Sequence, residues 1–199
     1  MMRVFTSGGL GDAAMAFAKM AKISSPFEVT HVEASPVVEA VQTFYNSQGI
    51  KANVIQVKSN APWYDAHSKD FDITLGSPWN GRGSFPRDDF EIEPFPPITF
   101  KKVPCDIVVQ VASGKRGDRV ISPEQISKIE ALGRQVTLIG KTDKFYPPGN
   151  HINLINKTSM EEFLSYICSA KVFLGHAGFG AYIAAMANKG TPIIIPEWC

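Results

Sequence analysis

Strand-like and helical segments alternate along almost the whole of this 199-residue chain, and that alternation limits the fold more than any other feature. Parallel strands need a long crossover, usually a helix, so repeated alternation predicts an α/β protein built on parallel sheets. In the first half, residues 3–6, 27–33, 52–57 and 71–75 read as strands and residues 13–22 as a helix. Ser35-Pro36 reads as the opening of a second helix, Ser as N-cap and Pro in the first turn, closing near Gly49. From Gly76 to Pro104 the periodicity fades into Gly, Pro, Asn and Asp, the signature of a long loop and linker. Alternation then resumes. Strands are expected at 106–111, 135–139, 152–155, 172–174 and 193–195. Helices are expected from Ser122-Pro123-Glu124-Gln125 to about Leu132, from Thr158 or Ser159 to Ser169, and over 178–188. The expected architecture is two small Rossmann-like lobes with parallel sheets, residues 1–100 and 101–199, with ligands beyond the carboxyl ends of the strands.

Composition removes several function classes. The net charge of +1 creates no broad field for nucleic acid or an anionic membrane. No apolar run approaches the roughly 18–20 residues that span a bilayer. The start of the chain lacks the apolar stretch of a signal peptide, so a cytoplasmic protein without a transmembrane segment is expected. Cys105, Cys168 and Cys199 are odd in number and widely spaced, which suits reduced core residues rather than a disulfide framework or metal pair. His31, His67, His151 and His176 share no ligand spacing, and no metal site or cofactor is expected from them.

Chemistry concentrates where strands end in glycine. The first strand runs into Ser7-Gly8-Gly9-Leu10-Gly11-Asp12. Gly9, Gly11 and Ala14 match the dinucleotide fingerprint, and Glu33 at the end of the second strand suits a ribose-binding acid, which keeps an NAD(P)-dependent oxidoreductase open. Asp12 argues against it, because a carboxylate in the first helical turn repels the pyrophosphate that should dock there. Asp12 suits a general base or a binder of sugar hydroxyls, or it caps the helix.

The second half offers three such ends. Ser113, Lys115 and Arg119 lie in one loop with cations that suit a diphosphate. Gly140-Lys141-Thr142 follows another strand. Gly175-His176-Ala177-Gly178-Phe179-Gly180 leads from strand to helix, where glycines admit a ligand to the backbone and helix N–H groups meet an anion.

These motifs, in this order, resemble GT-B glycosyltransferases, and within them the ADP-heptose:lipopolysaccharide heptosyltransferases of glycosyltransferase family nine. Val111-Ala112-Ser113-Gly114 and Arg119-Val120-Ile121-Ser122-Pro123 resemble that family's Gly/Ser/Thr turn and Lys-Arg-Trp-Pro-like stretch. Asn156-Lys157-Thr158-Ser159-Met160 is similar to its Gly-Lys-Thr-Ser-Leu helix start, and Gly175-His176-Ala177-Gly178 to its Gly-Asn-Asp-Ser-Gly turn. Gly9-Leu10-Gly11-Asp12 resembles its Gly-Asp start. His176 stands in the place of the family's acid. The resemblance implies a GT-B-like fold and transfer of a sugar from an ADP- or UDP-linked donor to a sugar or glycolipid hydroxyl, without metal. Asp12 would be the base. Ser113, Lys115, Arg119, Lys141, Met160, His176, Gly178, Phe179 and Gly180 would hold the donor. Gly9 and Gly11 would border the acceptor, and the position and composition of the loop from Gly76 to Arg87 put Trp79 and Arg82 beside it as well. A nucleotide-binding remnant without catalysis, and a homo-oligomer, both stay open.

Overall fold

The computed structural model describes residues 1–34, 36–75, 101–113, 119–187 and 193–194. The chain divides into two compact units, Met1–Ile98 and Thr99–Cys199.

The first unit begins with β1 (Met2–Ser7), α1 (Leu10–Met20), β2 (Phe27–Glu33) and α2 (Val38–Ser47). It continues through β3 (Ala52–Gln56), α3 (Asn60–His67), a short 3₁₀ turn (Ser68–Asp70) and β4 (Ile73–Leu75). The four strands form one sheet in the order β3-β2-β1-β4, and every pairing is parallel. Val4, Ser7, Val29 and Val32 are buried, as expected of a parallel sheet. The side chains of α1 from Ala13 to Met20 are all buried. The small residues Ala13, Ala14, Ala16 and Ala18 let this helix lie close to its neighbours, and Phe17 meets Phe44 of α2 edge-on at 6.0 Å. Phe5 packs with Val32, Val57, Trp63 and Phe71, its ring stacked on Trp63 at 5.8 Å.

Two details differ from the sequence expectation. The second helix opens at Val38 with Val37 as its N-cap, not at Ser35-Pro36. Pro36 lies in the turn before it, and Ser35 is outside the described residues. The helix does stop before Gly49, whose φ is +69°. The sequence expectation also lacks α3, because Pro62 and the sparse apolar pattern of Asn60–His67 give little helical signal.

The second unit begins with β5 (Ile107–Gln110), β6 (Ala112–Ser113), β7 (Arg119–Val120), α4 (Pro123–Glu130) and β8 (Val136–Ile139). It continues with β9 (His151–Asn153), α5 (Met160–Ser169), β10 (Val172–Leu174), α6 (Phe179–Ala187) and β11 (Ile193–Ile194). The main sheet runs β11-β10-β5-β8-β9, again parallel throughout. Ser122 with Gln125, and Ser159 with Glu162, form the capping boxes that start α4 and α5. Each such cap contributes about 0.5–2 kcal/mol. The strand expected over 106–111 is interrupted. β5 ends at Gln110, and Ala112 and Ser113 turn aside to pair antiparallel with Val120 and Arg119.

The connection from β8 to β9 is irregular among the described residues, an unusual crossover for parallel strands. Two contacts hold it. The Tyr146 hydroxyl donates to the Ile121 carbonyl at 2.6 Å, and burial pushes this phenol up to about 12. His151 Nδ1 meets Glu130 Oε1 at 2.7 Å.

Candidate functional site

In each sheet the strand order reverses beside the first strand of the unit. The reversal falls between β1 and β4 in the first and between β5 and β10 in the second. Open parallel sheets bind ligands beyond the carboxyl ends of strands at such a reversal. There the connections leave toward opposite faces and a crevice opens between them.

In the second unit, the ends beside this reversal are Gln110 to Ser113 and the turn that follows Leu174. The turn leads into α6, whose first N–H groups have no intrahelical acceptor. Three side chains converge on it. Arg119, carried by the small antiparallel ribbon, donates from Nη1 to the Ala177 carbonyl at 3.0 Å. Ser113 lies across from Gly178, its Oγ 3.8 Å from where a Cβ on that glycine would stand. Gln110 lies beneath Gly180. Its Nε2 donates to the Ala112 carbonyl at 3.0 Å, which fixes the amide's orientation and turns Oε1 toward Gly180.

Gln110 Oε1 and Ser113 Oγ are buried and accept or donate no hydrogen bond with any described residue. An unmet buried polar atom costs about 1–3 kcal/mol, a cost that a polar ligand beside this helix N-terminus would relieve. Gly180 leaves little room for a side chain. A Cβ there would overlap Gln110 Oε1 and lie 3.0 Å from both Gln110 Cδ and Phe173 Cζ. Phe179, the first residue of α6, is buried and stacks on Phe163 of α5 at 6.0 Å and 9°, so its ring is part of the packing that fixes the helix. His176 is half-buried within the turn.

Along the same edge of this sheet come the loops after β8 and β9. They are tied together. Asn156, in the left-handed region at φ +60°, donates its N–H to the Gly140 carbonyl at 2.8 Å and its Nδ2 to the Thr142 carbonyl at 2.6 Å. Lys141 is exposed in the first loop, and Met160 opens α5 half-buried after the second. Lys115 lies outside the described residues, as do Trp79 and Arg82.

In the first unit, β1 delivers Ser7 to the reversal, and Gly8 and Gly9 lead into α1. Asp12, the third residue of the helix, bends back so that Oδ2 accepts the Gly9 N–H at 2.8 Å. Gly8 has φ +109°, and a Cβ there would overlap the Asp12 carboxylate and stand 2.6 Å from its Cγ. The glycine is therefore required twice, by its backbone and by the acid beside it. Gly9, Gly11 and Asp12 remain partly exposed.

This geometry counts against the nicotinamide reading. Glu33 is fully buried, so it is not at hand for a ribose hydroxyl. The Gly9 N–H, a donor that a pyrophosphate would need, is taken by Asp12. Gln110 carries a signal that pattern reading passes over, a lone amide in the apolar run Ile107–Gln110. Burial raises the Cys105 thiol and pushes that of Cys168 up to about 12, which makes both poorer nucleophiles. Cys199 lies outside the described residues. Among the described residues, no three His, Cys, Asp or Glu side chains are grouped to hold a metal, and no helix is long and apolar enough to cross a membrane.

Each unit is a Rossmann-like parallel sheet with a glycine turn at its reversal, a fold class that the GT-B glycosyltransferases share. Within that class, the chain is similar in fold to bacterial heptosyltransferases. The E. coli heptosyltransferase WaaC with ADP matches over 98% of this chain and 86% of its own, at TM-score 0.56 and 12% identity. The iron-containing dodecameric glycosyltransferase TibC of enterotoxigenic E. coli matches over 97% of this chain at TM-score 0.56 and 13% identity. The chain spans only 56% of TibC. A family-nine glycosyl transferase of Veillonella parvula matches over 96% of this chain and 80% of its own, at TM-score 0.50 and 12% identity. No protein-family model matches the sequence, and no curated protein matches it.

Proposed function

We propose that this protein is a glycosyltransferase whose second unit binds a nucleoside-diphosphate sugar at the Gly175–Gly180 turn. The observation that carries the reading is the pair of buried, unmet polar atoms, Gln110 Oε1 and Ser113 Oγ, at the turn that Arg119 pins. The diphosphate would lie over the α6 N-terminus, where backbone N–H groups and the helix dipole meet its charge. The same groups stabilise the charge that grows on the departing nucleotide, so they act on the transition state and not only on binding. Ser113 and His176 supply hydroxyl and imidazole contacts, and Lys115, Lys141 and Met160 extend the site toward phosphate, ribose and base. WaaC, whose structure holds ADP, supports this choice of donor.

Asp12 is the proposed general base on the acceptor hydroxyl, which is a sugar or glycolipid hydroxyl. Its Oδ2 is oriented by the Gly9 N–H, and it is partly exposed, as a base that must reach a substrate has to be. Gly9, Gly11, Trp79 and Arg82 are proposed to border the acceptor.

The test has two stages. Melting curves are recorded with ADP, UDP, ADP-heptose and UDP-glucose, since a ligand that binds only the folded state raises the melting temperature. Transfer is then measured with the stabilising donor, in the presence and absence of a chelator, for the protein and for Asp12→Asn. The reading expects donor binding kept and turnover lost in the variant. It fails if no nucleotide stabilises the protein. If nucleotides bind tightly but no donor is turned over, a nucleotide-binding protein without catalysis is the better account.

A further inference from the structure

The first unit carries a buried polar pair that the proposed mechanism does not use. His31 of β2 and Tyr45 of α2 are both fully buried. His31 Nε2 lies 2.8 Å from the Gly8 carbonyl oxygen, and Nδ1 lies 3.2 Å from the Tyr45 hydroxyl. A carbonyl oxygen only accepts, so Nε2 must carry the proton. Burial lowers the imidazole from 6.5 to about 4, against smaller upward pulls from Gly8 and Glu33, so the ring is neutral and Nδ1 accepts from Tyr45. Every proton in the pair is thereby assigned.

The carbonyl of Gly8 and the N–H of Gly9 belong to one planar peptide unit. That N–H donates to Asp12 Oδ2 at 2.8 Å. The hydrogen bonds therefore form one chain with one direction, from Tyr45 through His31 and the Gly8–Gly9 peptide to the Asp12 carboxylate. The opposite side of Gly8 is held as well, its N–H donating to the Val32 carbonyl at 3.1 Å. A donor on a peptide oxygen polarises the amide and strengthens the bond its N–H makes, and a fully satisfied buried network resists reorientation. Burial raises the Tyr45 hydroxyl most, a side-chain hydrogen bond with Thr6 lowers it, and the negative charge of Asp12 raises it further.

We propose that His31 and Tyr45 are positioning residues for Asp12, acting through the Gly8–Gly9 peptide to hold the carboxylate in its working orientation. The inference rests on the reading of Asp12 as the base, and it predicts that β2 and α2 control a group on α1. It also explains why a histidine and a tyrosine occupy fully buried positions that aliphatic side chains would fill without desolvation cost.

The test compares the protein with His31→Leu, His31→Gln and Tyr45→Phe. Glutamine places an amide N–H near the position of Nε2, so it should restore the donor to Gly8. Long-range ¹H–¹⁵N spectra of the wild type should show the Nε2-protonated neutral tautomer of His31. In H31L the Gly9 amide proton should move upfield and exchange roughly tenfold faster. H31Q should keep both near wild type, and Y45F should fall between. In transfer assays H31L should lose kcat on the order of tenfold to a hundredfold at an unchanged donor KM, with H31Q largely rescuing it. Circular dichroism checks that each variant folds, and H31Q with Y45F decide the matter if H31L does not. An Nδ1-protonated tautomer overturns the inference. So does a Gly9 amide indifferent to all three substitutions, or one that moves while kcat holds. If the wild type transfers no sugar, the proposed function fails, and the tautomer and the Gly9 amide alone uphold or overturn the chain.

Discussion

Gly180→Ala is the sharpest test of the geometry at the second-unit site. On helical propensity alone the change should help, by up to about 1 kcal/mol for a residue inside a helix. The surroundings reverse the sign. The new methyl would occupy the space of Gln110 Oε1 and press on Phe173 Cζ at 3.0 Å. Phe173 is fully buried and cannot yield without disturbing the core. The Gln110 amide is only 7% exposed and is anchored by its bond to the Ala112 carbonyl, so its end is not free to swing into solvent. Accommodation costs about 1–3 kcal/mol as overpacking. Breaking the Gln110–Ala112 bond adds about 1 kcal/mol. The expected net destabilisation is about 2 kcal/mol. Urea unfolding followed by far-UV circular dichroism measures it as a lower midpoint at unchanged slope. The same substitution in a Gln110→Ala background should lose part of its cost, because the Gln110 clash is gone while the contact with Phe173 remains. A G180A variant as stable as the wild type, or a cost equal in both backgrounds, would refute the reasoning.

Four further outcomes follow from other contacts. Gly8→Ala should destabilise the first unit by about 1–3 kcal/mol, because its φ of +109° strains any side chain and the methyl displaces Asp12; thermal unfolding reads this. His31 titrates near 6.5 unfolded and near 4 folded, so the unfolded chain takes up its proton first as pH falls. Its contribution is complete above 6.5 and is lost progressively toward 4, by up to ~3 kcal/mol, and His31→Gln should flatten that part of the stability profile. Tyr146→Phe should cost about 1–2 kcal/mol in urea unfolding, since the Ile121 carbonyl loses its buried donor. Asp106 is held below its usual 3.8, first by the hydrogen bonds from Arg134. Arg134→Gln should raise its pKa toward that value in a carboxyl-carbon NMR titration.

The alternation of short apolar runs with capped helices determined the α/β class, the parallel sheets and most element positions, because burial on both faces of a strand and the caps of a helix are local demands written into adjacent residues. Ser122 with Gln125 and Ser159 with Glu162 were legible for that reason, and so were the glycine turns at the ends of β1 and β10. Ser35-Pro36 does not mark the start of α2, because Ser-Pro is a capping signal that a turn also satisfies. The fate of Glu33 was beyond sequence, since an acid at a strand end looks the same whether it faces solvent or lies fully buried. The same holds for Gln110 beneath Gly180 and for the run from Tyr45 through His31 to Asp12. These groups stand far apart in the chain, and only the strand order, β3-β2-β1-β4 and β11-β10-β5-β8-β9, brings them together. Hydrogen bonds act over about 3 Å of space, whatever the separation in sequence.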